Sequence, residues 1–228
     1  MFIFNPMIFN RKIDPSLRKK AVYMWNIKPD EESAIPMKNI EKNKRYFDAT
    51  IIEASQVEEL IVKMNDKVLT NLWGQIPWWI VKADLGRLLY VYLNGGFYFD
   101  VDCRVKKNFL KESENKMVIF IEKRVRSLNE LGPRETKTED RKLRIANYGF
   151  GTDQKKHPFL KEVIEECKRR LTLIFKEEKS DISELDVVWL CGPDVITSVY
   201  HEQKNKHADL LLLNKKNLDH QSFGGWRV

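Results

Sequence analysis

An α/β fold with a mixed central sheet is the class this sequence predicts, on three observations. Short β-branched and aromatic runs alternate with amphipathic stretches, the order that lays helices against a sheet. Turn signals punctuate these runs, Asn94-Gly95-Gly96 being the sharpest. No stretch has the composition of a linker, so residues 1–228 are expected to form a single domain.

Taken in order, Lys20–Trp25 reads as a short strand, and Asn26–Pro36, with Pro29 and Pro36, as a loop. Tyr46–Glu53 is a second strand, rich in β-branched and aromatic residues. Ser55 and Glu58 have capping-box spacing, ahead of a helical face made by Val57, Leu60, Ile61 and Met64. Pro77 predicts the opening of the next helix, where Ala83, Leu88, Val91 and Tyr92 recur at helical spacing until Gly95-Gly96 stops it. Phe97–Val101 then alternates as a strand. Residues 122–145 are highly charged, contain Gly132-Pro133 and are expected to form a mobile loop. Phe159–Phe175 is an amphipathic helix, Val187–Leu190 a short strand, Asp194–Tyr200 a helix start and Leu210–Leu213 a further strand. The tail, 219–228, is aromatic and glycine-rich.

With 43% apolar residues the chain can bury a sizeable core. No apolar run approaches the ~20 residues that span a bilayer, and Met1–Phe9 lacks the basic lead and cleavage site of a signal peptide. The three cysteines, Cys103, Cys167 and Cys191, form no metal-binding or disulfide spacing and read as inert thiols of a cytoplasmic protein. The net charge of +7 is spread among acids, as a solvated lysine-rich surface rather than a nucleic-acid face; a peripheral membrane contact is compatible with it.

Asp100 and Asp102 hold the most chemistry. On a strand, residues two apart share a face, so the two carboxylates are expected to project together near the strand's C-terminal end. Their mutual repulsion is relieved by a hard divalent cation such as Mg²⁺ or Mn²⁺. An Asp-x-Asp pair by itself also fits two solvated loop acids. Asp84 and Arg87, three apart on the preceding helix, read equally as an exposed ion pair.

The stretch Asp84-Leu-Gly-Arg87, then Asn94-Gly95-Gly96-Phe-Tyr-Phe-Asp100-Val-Asp102, resembles the signature of glycosyltransferase family 32, and also that of the glucosyltransferase domain of the large clostridial toxins. Tyr23-Met24-Trp25 with Ile35-Pro36, Asn147 to His157-Pro158, Gly192-Pro193, and His220 to Gly224-Gly225-Trp226 extend the likeness. Gly225 stands where the family carries serine, and Gln221 where a second histidine is common. The resemblance implies a GT-A fold, a single Rossmann-like domain whose mixed central sheet is flanked by helices. It implies a retaining transferase that moves a hexose from a UDP- or GDP-sugar to a glycan, lipid-linked or glycoprotein acceptor with Mn²⁺ or Mg²⁺. Asp102, Asp100 and His220 would be metal ligands, and Asp100, Asp102 and Arg87 catalytic. Trp25, Asp84, Arg87, Asp100, Asn147, Gly224, Gly225 and Trp226 would bind the donor. Trp25 equally suits a core position, and His220 a structural one.

Two other classes share parts of this pattern. Phosphatases and phosphotransferases of the haloacid dehalogenase type carry a strand-borne Asp-x-Asp, but on their first strand, and with Thr or Val where this chain has Arg104. A degenerate, non-catalytic nucleotide-sugar-binding module would show the same motifs.

Overall fold

The computed structural model describes residues 18–30, 32–127, 130–138, 141–177 and 182–222. The first half of the described chain runs β1 (Lys19–Met24), α1 (Met37–Asn43), β2 (Phe47–Ile52), α2 (Ala54–Met64), α3 (Lys67–Gln75), α4 (Trp79–Asn94), β3 (Gly96–Phe99) and β4 (Cys103–Val105). The second runs β5 (Met117–Arg124), β6 (Leu143–Thr152), α5 (Pro158–Lys176), α6 (Glu184–Leu190), α7 (Pro193–Gln203), β7 (Leu210–Leu213) and β8 (Leu218–His220).

Six strands form one sheet in the order β2-β1-β3-β6-β5-β7, and β4 pairs with β8 in a separate ribbon. β1 lies parallel to β2 and β3, β6 is antiparallel to β3 and β5, and β7 is parallel to β5. This is the mixed sheet flanked by helices that the sequence predicts. Strand alternation sorts its side chains into two cores. Val22, Tyr98, Met117 and Ile119 face a cluster shared with α2 to α7, while Tyr23, Phe97, Phe99, Val118 and Phe120 face one closed by α1, β4 and Phe109.

α4 positions the candidate site. It is buried almost all round, because sheet and helices enclose it, and Asp84 and Arg87 are therefore interior. The exposed ion-pair reading of those two residues is excluded. The helix starts at Trp79, not at Pro77, since Trp78 is still extended (φ −90°, ψ 108°). It ends as expected at Gly95 (φ 69°) and Gly96 (φ 89°), backbone angles that favour glycine. Gly86 allows close approach to α2: a Cβ there would meet Val57 Cγ1 at 2.7 Å. Gly86→Ala is expected to destabilise the fold by about 1–3 kcal/mol despite the better helix propensity of alanine, read as a lower urea midpoint.

Several local expectations shift. The α2 capping box lies two residues upstream of Ser55 and Glu58: the Gln56 side chain accepts from the Glu53 N–H at 2.8 Å. Glu58 accepts instead from Trp73 Nε1 at 2.6 Å. Val187–Leu190 belongs to helix α6 rather than a strand, because Ser183 and Asp186 cap one another (3.2 and 3.0 Å) and start a helix just before the apolar run. The expected loop at 122–145 has strand at both ends, and Glu135 and Arg141 within it are buried. Glu135 pairs with Arg170 at 2.9 Å, and Arg141 with Glu202 at 2.7 Å, so this segment docks on α5 and α7.

α3 has no counterpart in the sequence reading. Asp66 starts it, accepting from the Val68 and Leu69 N–H groups and pairing with Lys168 at 2.7 Å. The Lys168 hydrogen bond holds the Asp66 carboxyl below its ordinary value. Asp66→Ala is expected to cost about 1 kcal/mol. A lowered folded pKa means this contribution is full above about pH 4 and is lost as pH falls through the folded value. Urea midpoints of wild type and variant should therefore converge in acid. Among the described residues, no helix is long and apolar enough to cross a membrane.

Candidate active site

The Asp-x-Asp pair lies just beyond β3, not on it. The Asp100 N–H still bonds the Tyr148 carbonyl at 2.9 Å, but the chain then turns, with the Cys103 N–H on the Asp100 carbonyl at 2.9 Å. β3 ends at Phe99, so a turn and not strand alternation places the two acids, and Asp100 still feels the charge of Asp102 and His220. Each meets a different neighbourhood.

Asp100 belongs to a closed cluster with α4. Its Oδ1 accepts from Arg87 Nη1 at 3.1 Å and from the Tyr98 hydroxyl. Arg87 Nη2 lies 2.9 Å from Asp84 Oδ1, and Nη1 also donates to the Asn147 carbonyl at 3.2 Å. Asn147 Nδ2 closes the ring by donating to Asp84 Oδ1 at 3.1 Å. The guanidinium sits over the Tyr98 ring, 4.7 Å from its centroid. One cation here faces two carboxylates, Asp84 buried and Asp100 partly exposed. Burial pushes Asp84 up to about 6 against the pull of Arg87, with Asp100 adding to the rise. Burial also raises Asp100, and Arg87 and the Tyr98 hydrogen bond resist it. Arg87 Nε is buried with no hydrogen-bond partner among the described residues.

Asp102 faces the ribbon instead. Its Oδ2 lies 3.3 Å from His220 Nε2 on β8. The His220 ring stacks on Tyr148, centroids 4.1 Å apart and planes at 19°. Burial disfavours the charged imidazole, but the hydrogen bond and charge of Asp102 outweigh it and raise the pKa. One ligand atom from each of Asp102, Cys103 and His220 lies within 4.8 Å of the others. A carboxylate oxygen and an imidazole nitrogen suit a divalent cation, so Asp102 and His220 fit one. Asp100 is turned toward Arg87 and Tyr98.

Helix α1 supports this segment from below. Asn43 Nδ2 donates to the Cys103 carbonyl at 3.0 Å, and Asn43 Oδ1 accepts from the Val105 N–H at 2.9 Å. One turn earlier, Asn39 Nδ2 reaches the Val101 carbonyl at 3.4 Å and Gln221 Oε1 at 3.3 Å.

Of the residues expected from the sequence, Asp84, Arg87, Asp100 and Asn147 come together, and Asp102 meets His220. Trp25 is half-buried at the end of β1, with its indole N–H spent on the Ser33 carbonyl at 2.8 Å. Gly224, Gly225 and Trp226 lie outside the described residues. The sequence reading missed Tyr98, Tyr148, Cys103, Asn39 and Asn43. Only Tyr98 carried a signal, its position two residues before Asp100.

Residues 17–138 match the profile of a family described as "Glycosyltransferase sugar-binding region containing DXD motif". The chain belongs to this family. The match includes Asp84, Arg87, Asp100 and Asp102 of this DXD glycosyltransferase chain and sets aside the phosphatase reading. Solved structures of similar shape include one titled PaToxG glycosyltransferase, at 16% identity and TM-score 0.48, aligned over 82% of this chain and 69% of that one. Another is a UDP-bound glycosyltransferase domain from the YGT toxin, at 10% identity and TM-score 0.46, over 71% of this chain and 52% of that one. The DXD glycosyltransferase chain thus spans about half of the YGT domain. A third, titled only as a transferase, aligns over 90% of this chain and 93% of its own at 12% identity and TM-score 0.43. No curated protein sequence matches the chain.

Proposed function

We propose that this chain is a metal-dependent, retaining hexosyltransferase that uses a nucleotide diphosphate sugar and a glycan acceptor, and that it acts as a single GT-A domain. The closed cluster of Asp84, Arg87, Asp100, Tyr98 and Asn147 carries this reading. It places a fixed guanidinium and two carboxylates beside an Asp102–His220 pair fit for a cation.

In this reading the Arg87 guanidinium, held over the Tyr98 ring, offers its planar fork to phosphate or sugar oxygens. Asp84, kept in place by Asn147 and Arg87, accepts from donor hydroxyls. Trp25 stacks on the nucleobase. Gly224, Gly225 and Trp226, which lie outside the described residues, take part in donor binding. Asp102 and His220 would hold a divalent cation, which when bound would stabilise charge on the leaving nucleoside diphosphate. Asp100, engaged by Arg87 and Tyr98 through Oδ1, orients the cluster, and no general base is assigned among these residues. That fits retention, in which the departing diphosphate itself accepts the acceptor's proton. An inverted anomeric centre in the product, seen by NMR, would refute it. The segment around 122–145 contributes to acceptor recognition.

Calorimetric titration of wild type and Asp102→Ala with UDP- and GDP-sugars, with and without Mn²⁺, tests the proposal. Cation-dependent binding of one donor, lost in the variant, supports it. Absence of binding to every donor in both conditions counts against it, and binding without turnover on any acceptor would mark a binding module.

A further inference from the structure

Two of the three side chains around the candidate cation position, Asp102 and His220, are the ones a transferase reading expects. The third, Cys103, reads from the sequence as an inert thiol. Its placement says otherwise. β4 and β8 pair so that Cys103 stands directly opposite His220. Directly paired residues present their side chains on one face of a ribbon, with Cβ atoms about 5 Å apart. Both side chains also meet Tyr148: the His220 ring stacks on its ring, and Cys103 Sγ reaches its carbonyl at 3.4 Å. Asp102 sits on the turn just before β4, and its carboxylate swings to the same side, 3.3 Å from His220. One oxygen, one sulfur and one nitrogen therefore lie within 4.8 Å of each other. Two donors on one tetrahedral ion are about 3.5 Å apart, so the three would have to draw in by about 1 Å to share one.

We infer that Cys103 is a third ligand, and that the site takes a thiophilic divalent cation such as zinc or cobalt in preference to magnesium. The inference rests on the proposed role of Asp102 and His220 in holding a cation. Sulfur is a soft donor and imidazole a borderline one, a combination that suits zinc and cobalt and disfavours magnesium, which wants oxygen in octahedral array. On binding, a metal–sulfur bond forms, the Tyr148 hydrogen bond is given up and the thiol proton leaves to solvent, one per ion. The backbone around the site is fixed from the other side by Asn43, on the Cys103 carbonyl and the Val105 N–H. The donors therefore converge on a held strand, not on a loose loop. Cys167 and Cys191 lie elsewhere in the buried core and serve as internal controls.

The test is a cobalt titration of the intact protein without donor sugar, followed in the near ultraviolet, where a sulfur–cobalt bond gives a charge-transfer band. The expected result is a band saturating at one cobalt per chain, reversed by zinc but not by equal magnesium, and absent in Asp102→Ala and Cys103→Ser. Cys103→Ser should weaken cobalt about tenfold or more while leaving Mn²⁺ affinity within about twofold. The wild-type spectrum decides the matter even where the buried serine impairs folding. Cobalt bound in an Asp102-dependent way with no such band overturns the sulfur ligand and leaves the transferase reading standing. A band that persists in Asp102→Ala places the thiolate elsewhere and overturns it too. No cobalt binding at all overturns the inference, and Mn²⁺-dependent donor binding then decides the cation role by itself.

Discussion

Arg87→Ala should lower stability by about 3–5 kcal/mol and abolish donor binding together. Among the described residues the guanidinium is the cation that pairs with both Asp84 and Asp100, and its removal leaves these carboxylates only the neutral Asn147 amide and Tyr98 hydroxyl. Chemical denaturation should show the loss as a lower midpoint with an unchanged slope. Adding Asp84→Asn to the variant removes one of the stranded charges and should recover part of the stability but none of the binding. Arg87→Lys separates the two roles. It keeps the charge, yet one ammonium cannot span Asp84 Oδ1, Asp100 Oδ1 and the Asn147 carbonyl as the planar fork does. Stability should fall less than in Arg87→Ala, and turnover still by about 100-fold, because the donor's phosphates would no longer be held in line.

Asp102→Asn should behave in the opposite way. Asp102 adds to the charge that Asp100 feels, and Asp102 is a neighbour of His220 rather than of Arg87. Neutralising it relieves repulsion with Asp100 but gives up the charge that favours the His220 imidazolium, so the two effects offset and stability should change little. Turnover should fall at least about 100-fold, since the cation's several kcal/mol of charge stabilisation is lost with its carboxylate. A variant that unfolded readily but kept its activity would contradict the division of labour between the two acids. Thermal melts beside initial-rate assays measure both.

What the sequence made legible follows from what a local pattern can encode. The strand through Phe97 and the stop at Gly95-Gly96 were readable because alternation and positive φ are local demands. The acids' shared surroundings were not, because β3 ends one residue before Asp100 and a turn, not a pleat, aims the two carboxylates. Asp84 and Arg87 have the same spacing whether exposed or buried; only the packing of sheet and helices around α4 decides which. The four-residue apolar run in α6 fits either a strand or a helix, and the Ser183–Asp186 box settles it. Cys103, Asn39 and Asn43 gave no signal, since their partners are backbone groups or side chains some 20 to 182 residues away. The identity of residues 84–102 as a unit came from family resemblance, and the profile match over 17–138 supports it.

The ribbon of β4 and β8 has one consequence for how the site is put together. It is two strands of three residues, separate from the six-stranded sheet, and it joins parts of the chain about 115 residues apart. Cys103, Val105 and Leu218 sink into the aromatic core, so the ribbon is anchored by burial as well as by its short ladder. Asp102 and His220 therefore meet only once two distant stretches of chain have come together, and an ion seated between them would act as a rivet across that seam, adding its binding energy to the folded state alone.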